Sequence, residues 1–142
     1  MATLDAYDTK PILDTARTIS VLGASTDVDK AGYYVPEHLA ESGYRIIPVN
    51  PSRVGETVFG EPFRASLADV NEPIDIIDVF RPSAEVRAHV PEILALDPLP
   101  KLVWFQQDIR DDEAASELAA AGIDVVQDAC LMVMHRILTR ND

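Results

Sequence analysis

A chain of 142 residues with 47% apolar side chains suits one domain with one substantial core and is too short for two. No apolar run reaches the ~18–20 residues of a membrane helix, and residues 1–8 lack a basic stretch followed by an apolar one, so no membrane partner and no secretory leader are expected. With 24 acidic against 12 basic residues, a net charge of -12 and a single cysteine, the reading is a cytoplasmic protein with no general affinity for nucleic acid.

Residues 9–17 read as a short helix, capped by Thr9 with Pro11 in its first turn. A β-rich run at 18–22 ends in Gly23-Ala24-Ser25, and a polar loop leads to a helix over 32–42, closed by Gly43. Pro36 is tolerable there only near the first turn. Residues 44–49 predict a second strand, in which Pro48 argues for an unpartnered amide side. Residues 52–73 read as irregular, with a short strand at 57–59 and a helical turn at 66–69. A third strong strand covers 74–80. A helix runs from 82 to about 96, which Pro91 would kink or divide. A strand at 101–105, a helix over 111–121 closed by Gly122, a strand at 123–126 and a helix over 131–138 complete the chain.

Strands alternating with helices predict an α/β fold: a Rossmann-like, doubly wound, mainly parallel sheet with helices on both faces, in one domain spanning 1–142. Ligands of such sheets bind beyond the carboxyl ends of the strands, so the residues to search are 23–32, 50–53, 80–82, 104–110 and 127–130.

The first of these turns offers small residues for close backbone approach, the Ser25 hydroxyl, Lys30 and the free amides of a helix N-terminus, a combination that suits phosphate. A tight turn without a ligand would look the same. The dinucleotide spacing Gly-x-Gly-x-x-Gly is absent, and no acid follows the second strand, which ends Val49-Asn50-Pro51. That leaves room for a ribose carrying a phosphate, as in NADP or coenzyme A. Arg53 reads either as an aid to such a phosphate or, more simply, as a solvated loop arginine. Phe80 reads as core or as cover for a base. Arg81, a scarce basic residue at the expected ligand edge, reads as a bidentate partner for phosphate. Trp104 is either core or pocket lining. No catalytic constellation and no metal-binding motif is apparent: His38, His89 and His135 are scattered, and Asp75 and Asp78 point to opposite faces of one strand. Cys130 is a small core residue or a thiol near a bound thiol. The scattered acidic excess, with only Lys10, Lys30 and Lys101 as lysines, is what a high-salt cytoplasm favours, and an ordinary acidic protein shares it.

Six segments taken together carry a resemblance: residues 21–25 (Val-Leu-Gly-Ala-Ser), 43–51 (Gly-Tyr-Arg-Ile-Ile-Pro-Val-Asn-Pro), 66–69, 72–81, 103–106 (Val-Trp-Phe-Gln) and 128–130 (Asp-Ala-Cys). In this order and spacing, over about residues 10–138, the chain resembles the small stand-alone CoA-binding proteins of bacteria and archaea, which are similar to the N-terminal CoA-binding domain of the succinyl-CoA synthetase α subunit. The resemblance implies a non-catalytic module that binds coenzyme A or an acyl-CoA. It would place Gly23, Ala24, Ser25 and Lys30 near the phosphates, assisted by amides around Ala31, Gly32 and Tyr33. Val49, Asn50 and Pro51 would border the adenosine, Val79, Phe80 and Arg81 would flank the ligand, and Trp104 and Gln106 would lie towards the pantetheine. The chain departs from the family pattern at Asp108, where a glycine is usual, and at Ala129 and Met132, where basic residues are. The synthetase's ligase half and phosphohistidine loop are absent from the sequence. An NADP-dependent oxidoreductase and a scaffold with a vestigial pocket are the alternatives. A homodimer or another protein is the expected kind of macromolecular partner.

Overall fold

Seven β-strands and five α-helices follow one another along a computed structural model that describes residues 3–140. Met1, Ala2, Asn141 and Asp142, the ends of the expected 1–142 domain, lie outside the described residues. The strands are β1 (Thr18–Leu22), β2 (Arg45–Val49), β3 (Thr57–Val58), β4 (Glu61–Pro62), β5 (Ile76–Val79), β6 (Leu102–Phe105) and β7 (Asp124–Val126). The helices are α1 (Lys10–Thr15), α2 (Ala31–Glu41), α3 (Ser83–Leu94), α4 (Asp112–Ala120) and α5 (Leu131–Thr139).

Five strands form one parallel sheet in the order β2-β1-β5-β6-β7. Parallel strands covered on both faces must be apolar on both, and β1 is buried at every residue. Alternate residues feed two cores. Ile77, Val79, Val103 and Phe105 pack with Val86, Val90 and Ile93 of α3 and Ala114 and Leu118 of α4. Ile19, Val21, Ile76 and Trp104 pack with Leu13 of α1, Val35 and Leu39 of α2, and Leu131 of α5. The expected doubly wound α/β fold is therefore present. The chain leaves β1 in one direction to make β2 and returns on the other side to make β5. This reversal opens a crevice at the carboxyl ends of β1 and β5.

The prolines show where local rules yield to context. β2 is an edge strand, which accommodates Pro48, and the Pro48 carbonyl accepts the Arg64 amide at 3.0 Å. Pro91 stands inside α3 and does not divide it, since the helix continues to Leu94, and the proline itself is exposed. Pro36 stands inside α2 rather than in its first turn, because the helix begins at Ala31. The expected strand at 57–59 is half of a hairpin: β3 pairs antiparallel with β4 across Phe59 and Gly60, both at positive φ (53° and 78°).

Candidate functional site

The crevice is built around two glycines. Gly23 ends β1 at φ 84°, and its N–H donates to the Val49 carbonyl at 2.9 Å. A Cβ there would stand 2.8 Å from the Phe80 carbonyl oxygen and 3.0 Å from Arg81 Cδ, so only glycine lets β1 turn against the end of β5. A Cβ on Gly32 would stand 3.1 Å from the Gly23 carbonyl oxygen, so the first turn of α2 is seated directly on the β1 turn. Pro36 contributes to the same junction. It has no N–H to give the Gly32 carbonyl, and that carbonyl accepts the Ser25 N–H at 3.1 Å instead.

Polar groups then set the rim. Ser25 Oγ accepts the Asp27 N–H at 2.9 Å, and its hydroxyl keeps a hydrogen of its own to donate. Asn50 caps the turn after β2 by accepting the Ser52 N–H, while its Nδ2 donates to the Ala24 carbonyl, each at 3.0 Å. It thereby ties the ends of β1 and β2 together. Lys30, exposed, is the N-cap residue of α2 and its side chain caps none of the first-turn amides, while the Tyr33 N–H, expected to assist, donates to the Lys30 carbonyl at 2.9 Å.

The result is a cleft of about 250 Å³ lined by Gly23, Ala24, Ser25, Lys30, Gly32, Asn50 and Phe80, all of them expected site residues, together with Arg53. Among the described residues no acidic side chain lines it, although the chain carries a net charge of -12. Arg53, read from the sequence more simply as a solvated loop residue, is brought in by the 3-10 turn Pro51–Arg53 that closes β2. Its position one turn beyond a strand end was the available signal. It is steadied by Glu56 at 3.5 Å.

Other expected residues stand elsewhere. Trp104 is fully buried and its Nε1 donates to the Ala129 carbonyl at 2.8 Å, which places it in the core and not on a pocket wall. Gln106 is buried behind the cleft, as described below. Val49 and Val79 are buried and reach the strand ends only through their backbone. Pro51 is exposed at the start of its turn, and Tyr33 packs its ring on Phe59 at 5.2 Å. Arg81 crosses Gly23 on its way to Glu85, 3.2 Å away, and its Nε is buried without a hydrogen-bond partner. Cys130, half-buried, is the residue before α5.

Asp78, set aside from the sequence as half of a pair with Asp75, stands out by its burial. It is wholly buried on β5, and Gln106 Nε2 donates to its Oδ1 at 2.6 Å, while Oδ2 has no partner. Burial pushes this carboxyl up to about 7, against the opposing effect of the Gln106 hydrogen bond. Asp75, three residues earlier, instead accepts the Arg17 and Thr18 amides at the amino edge of the sheet.

A second, larger cavity of about 620 Å³ lies at that amino edge, between Leu67, Val70, Ile74 and Leu96, with Glu72 and Glu92 on its wall. With Asp97, these make three carboxylates on the wall, a poor receptor for phosphate.

A family model described as a CoA binding domain matches residues 17–136. The uncharacterized protein YneT of Bacillus subtilis is 34% identical over 128 residues, covering 90% of this chain and 92% of its own length. A structure described as cell-free ID.343 from Thermus thermophilus superposes with a TM-score of 0.90 at 49% identity, covering 95% of this chain and 99% of that one. A hypothetical protein from Pyrococcus horikoshii gives a TM-score of 0.87 at 29% identity, over 97% of this chain and 94% of that one.

Proposed function

The chain belongs to the CoA-binding domain family, and from that membership we propose that it binds coenzyme A or an acyl-CoA in the cleft between the carboxyl ends of β1, β2 and β5. The observation that carries the reading is the charge of this cleft. In a chain with twice as many acids as bases, Lys30 and Arg53 line it and no acid among the described residues does. Their cations, the Ser25 hydroxyl and the uncapped amides of α2 suit the phosphates of the ligand. Phe80 supplies an apolar wall for the adenine or the pantetheine arm.

The proposed role is binding without chemistry. Ser25 is engaged by a backbone amide and not by a base, so it is not an activated nucleophile. A carrier, a sensor or a subunit that presents CoA to a partner protein fits this site. Titration calorimetry with CoA, acetyl-CoA, NADP and NAD tests the reading. CoA or acetyl-CoA is expected to bind at least tenfold more tightly than either dinucleotide. NADP binding without CoA would replace the reading with an oxidoreductase, since the Arg53 guanidinium in the cleft is also chemically suited to a 2′-phosphate.

A further inference from the structure

Asp78 is the one buried carboxyl of the described residues that has an oxygen with no partner, and it lies immediately behind the proposed CoA cleft. Successive side chains of a strand alternate, so Asp78 shares its face with Ile76 below and with Phe80 above, and Phe80 lines the cleft. The two segments are rigidly joined. The Phe80 N–H donates to the Leu22 carbonyl at 2.8 Å, and Gly23 lies against the Phe80 carbonyl. In register beside Asp78 stand Val21 of β1 and Trp104 of β6. Gln106 closes the space from above with its amide on Oδ1.

Among the described residues, the side chain that meets the carboxyl is the neutral Gln106 amide. Val21, Trp104 and Gln106 are neutral. On the helices that cover this face, the titratable His38 of α2 and His135 of α5 pair with each other at 2.9 Å. Burial raises its pKa and the Gln106 hydrogen bond opposes that rise. A carboxylate here has a bare oxygen in a dry space, and the neutral acid is correspondingly favoured.

CoA carries several negative charges on its phosphates, and seating it in the cleft would displace water from the wall above Asp78. Both effects disfavour a carboxylate nearby. We propose that Asp78 is uncharged in the CoA-bound protein, so that binding of CoA takes up a proton at this carboxyl and weakens as the solution becomes alkaline. The inference rests on the CoA reading above and adds to it a proton linkage, by which pH adjusts the loading of the site.

The experiment is calorimetric titration of the full chain with CoA between pH 6 and 8.5, in buffers of different ionisation enthalpy, for the wild type and Asp78→Asn. The difference between the two proteins cancels the titration of CoA itself. The wild type is expected to take up more protons than the variant near pH 7, and to lose affinity relative to it by up to about tenfold per pH unit above the carboxyl's midpoint. Equal proton uptake and parallel pH profiles would overturn the linkage while leaving CoA binding intact. Absence of CoA binding to the wild type would overturn both readings. Should Asp78→Asn fail to fold, carbon NMR of the Asp78 carboxyl in the wild type decides. Its midpoint is expected to rise when CoA is added, and an unmoved or lowered midpoint would overturn the proposal.

Discussion

Replacing Asp78 by asparagine removes a titration from the middle of the protein while preserving its shape and its acceptor for Gln106. The carboxyl is raised from 3.8 to about 7 by complete burial. Between these limits the folded protein keeps a proton that the unfolded chain has lost, so stability falls as pH rises through the interval and levels off above it. Each pH unit corresponds to about 1.4 kcal/mol, so the contribution lost between pH 5 and pH 8 is about 3 kcal/mol. Asp78→Asn has no such loss. Urea unfolding of both proteins at pH 5, 6, 7 and 8 is expected to show the variant gaining on the wild type by that amount, with most of the change below pH 7. General repulsion from the charge of -12 affects both proteins alike and cancels in the comparison. Parallel stability curves would refute the claim that Asp78 is held protonated by burial.

Three further outcomes follow from the geometry. Gly23→Ala places a Cβ 2.8 Å from a backbone oxygen at a positive φ, and is expected to cost about 2–4 kcal/mol in denaturant unfolding and to abolish CoA binding. Lys30→Glu is expected to weaken CoA at least tenfold in low-salt calorimetry and by much less in molar salt, since its charge stands exposed on the rim. Asp108, at φ 70° with its N–H on Asp128 Oδ1 at 2.7 Å, occupies a glycine-like conformation. Asp108→Gly is therefore expected to leave the fold intact and raise stability by up to about 1 kcal/mol in thermal unfolding.

The parallel strands were legible because β-branched runs such as residues 18–22 and 74–80 stand between clear turn residues. The cleft was legible for a related reason: a doubly wound sheet puts function at strand ends, and Gly23, Ser25, Lys30 and Asn50 meet there. Trp104 shows what a sequence position leaves open. It ends a strand, but the register with Asp78 and the bond to Ala129 turn it into the core. Pro36 illustrates a rule overridden at a distance, since the carbonyl it abandons is taken by Ser25, eleven positions earlier. The hairpin at 57–62 was half hidden because Phe59 and Gly60 make its turn without the usual Asn-Gly or Asp-Gly signal. Asp78 was weighed only as half of a pair with Asp75; its burial was not legible because aspartate is ordinarily a surface residue, and only the sheet places it between Val21 and Trp104.

The most direct test of the CoA site is amide NMR of the protein titrated with CoA, since the molecule has cavities at both edges of its sheet. Shifts are expected to concentrate at residues 23–25, 30–33, 50–53 and 80–81, around the cleft of Lys30 and Arg53. Shifts confined to residues 67–74 and 95–98, at the amino-edge cavity, or no shifts at all, would contradict the account.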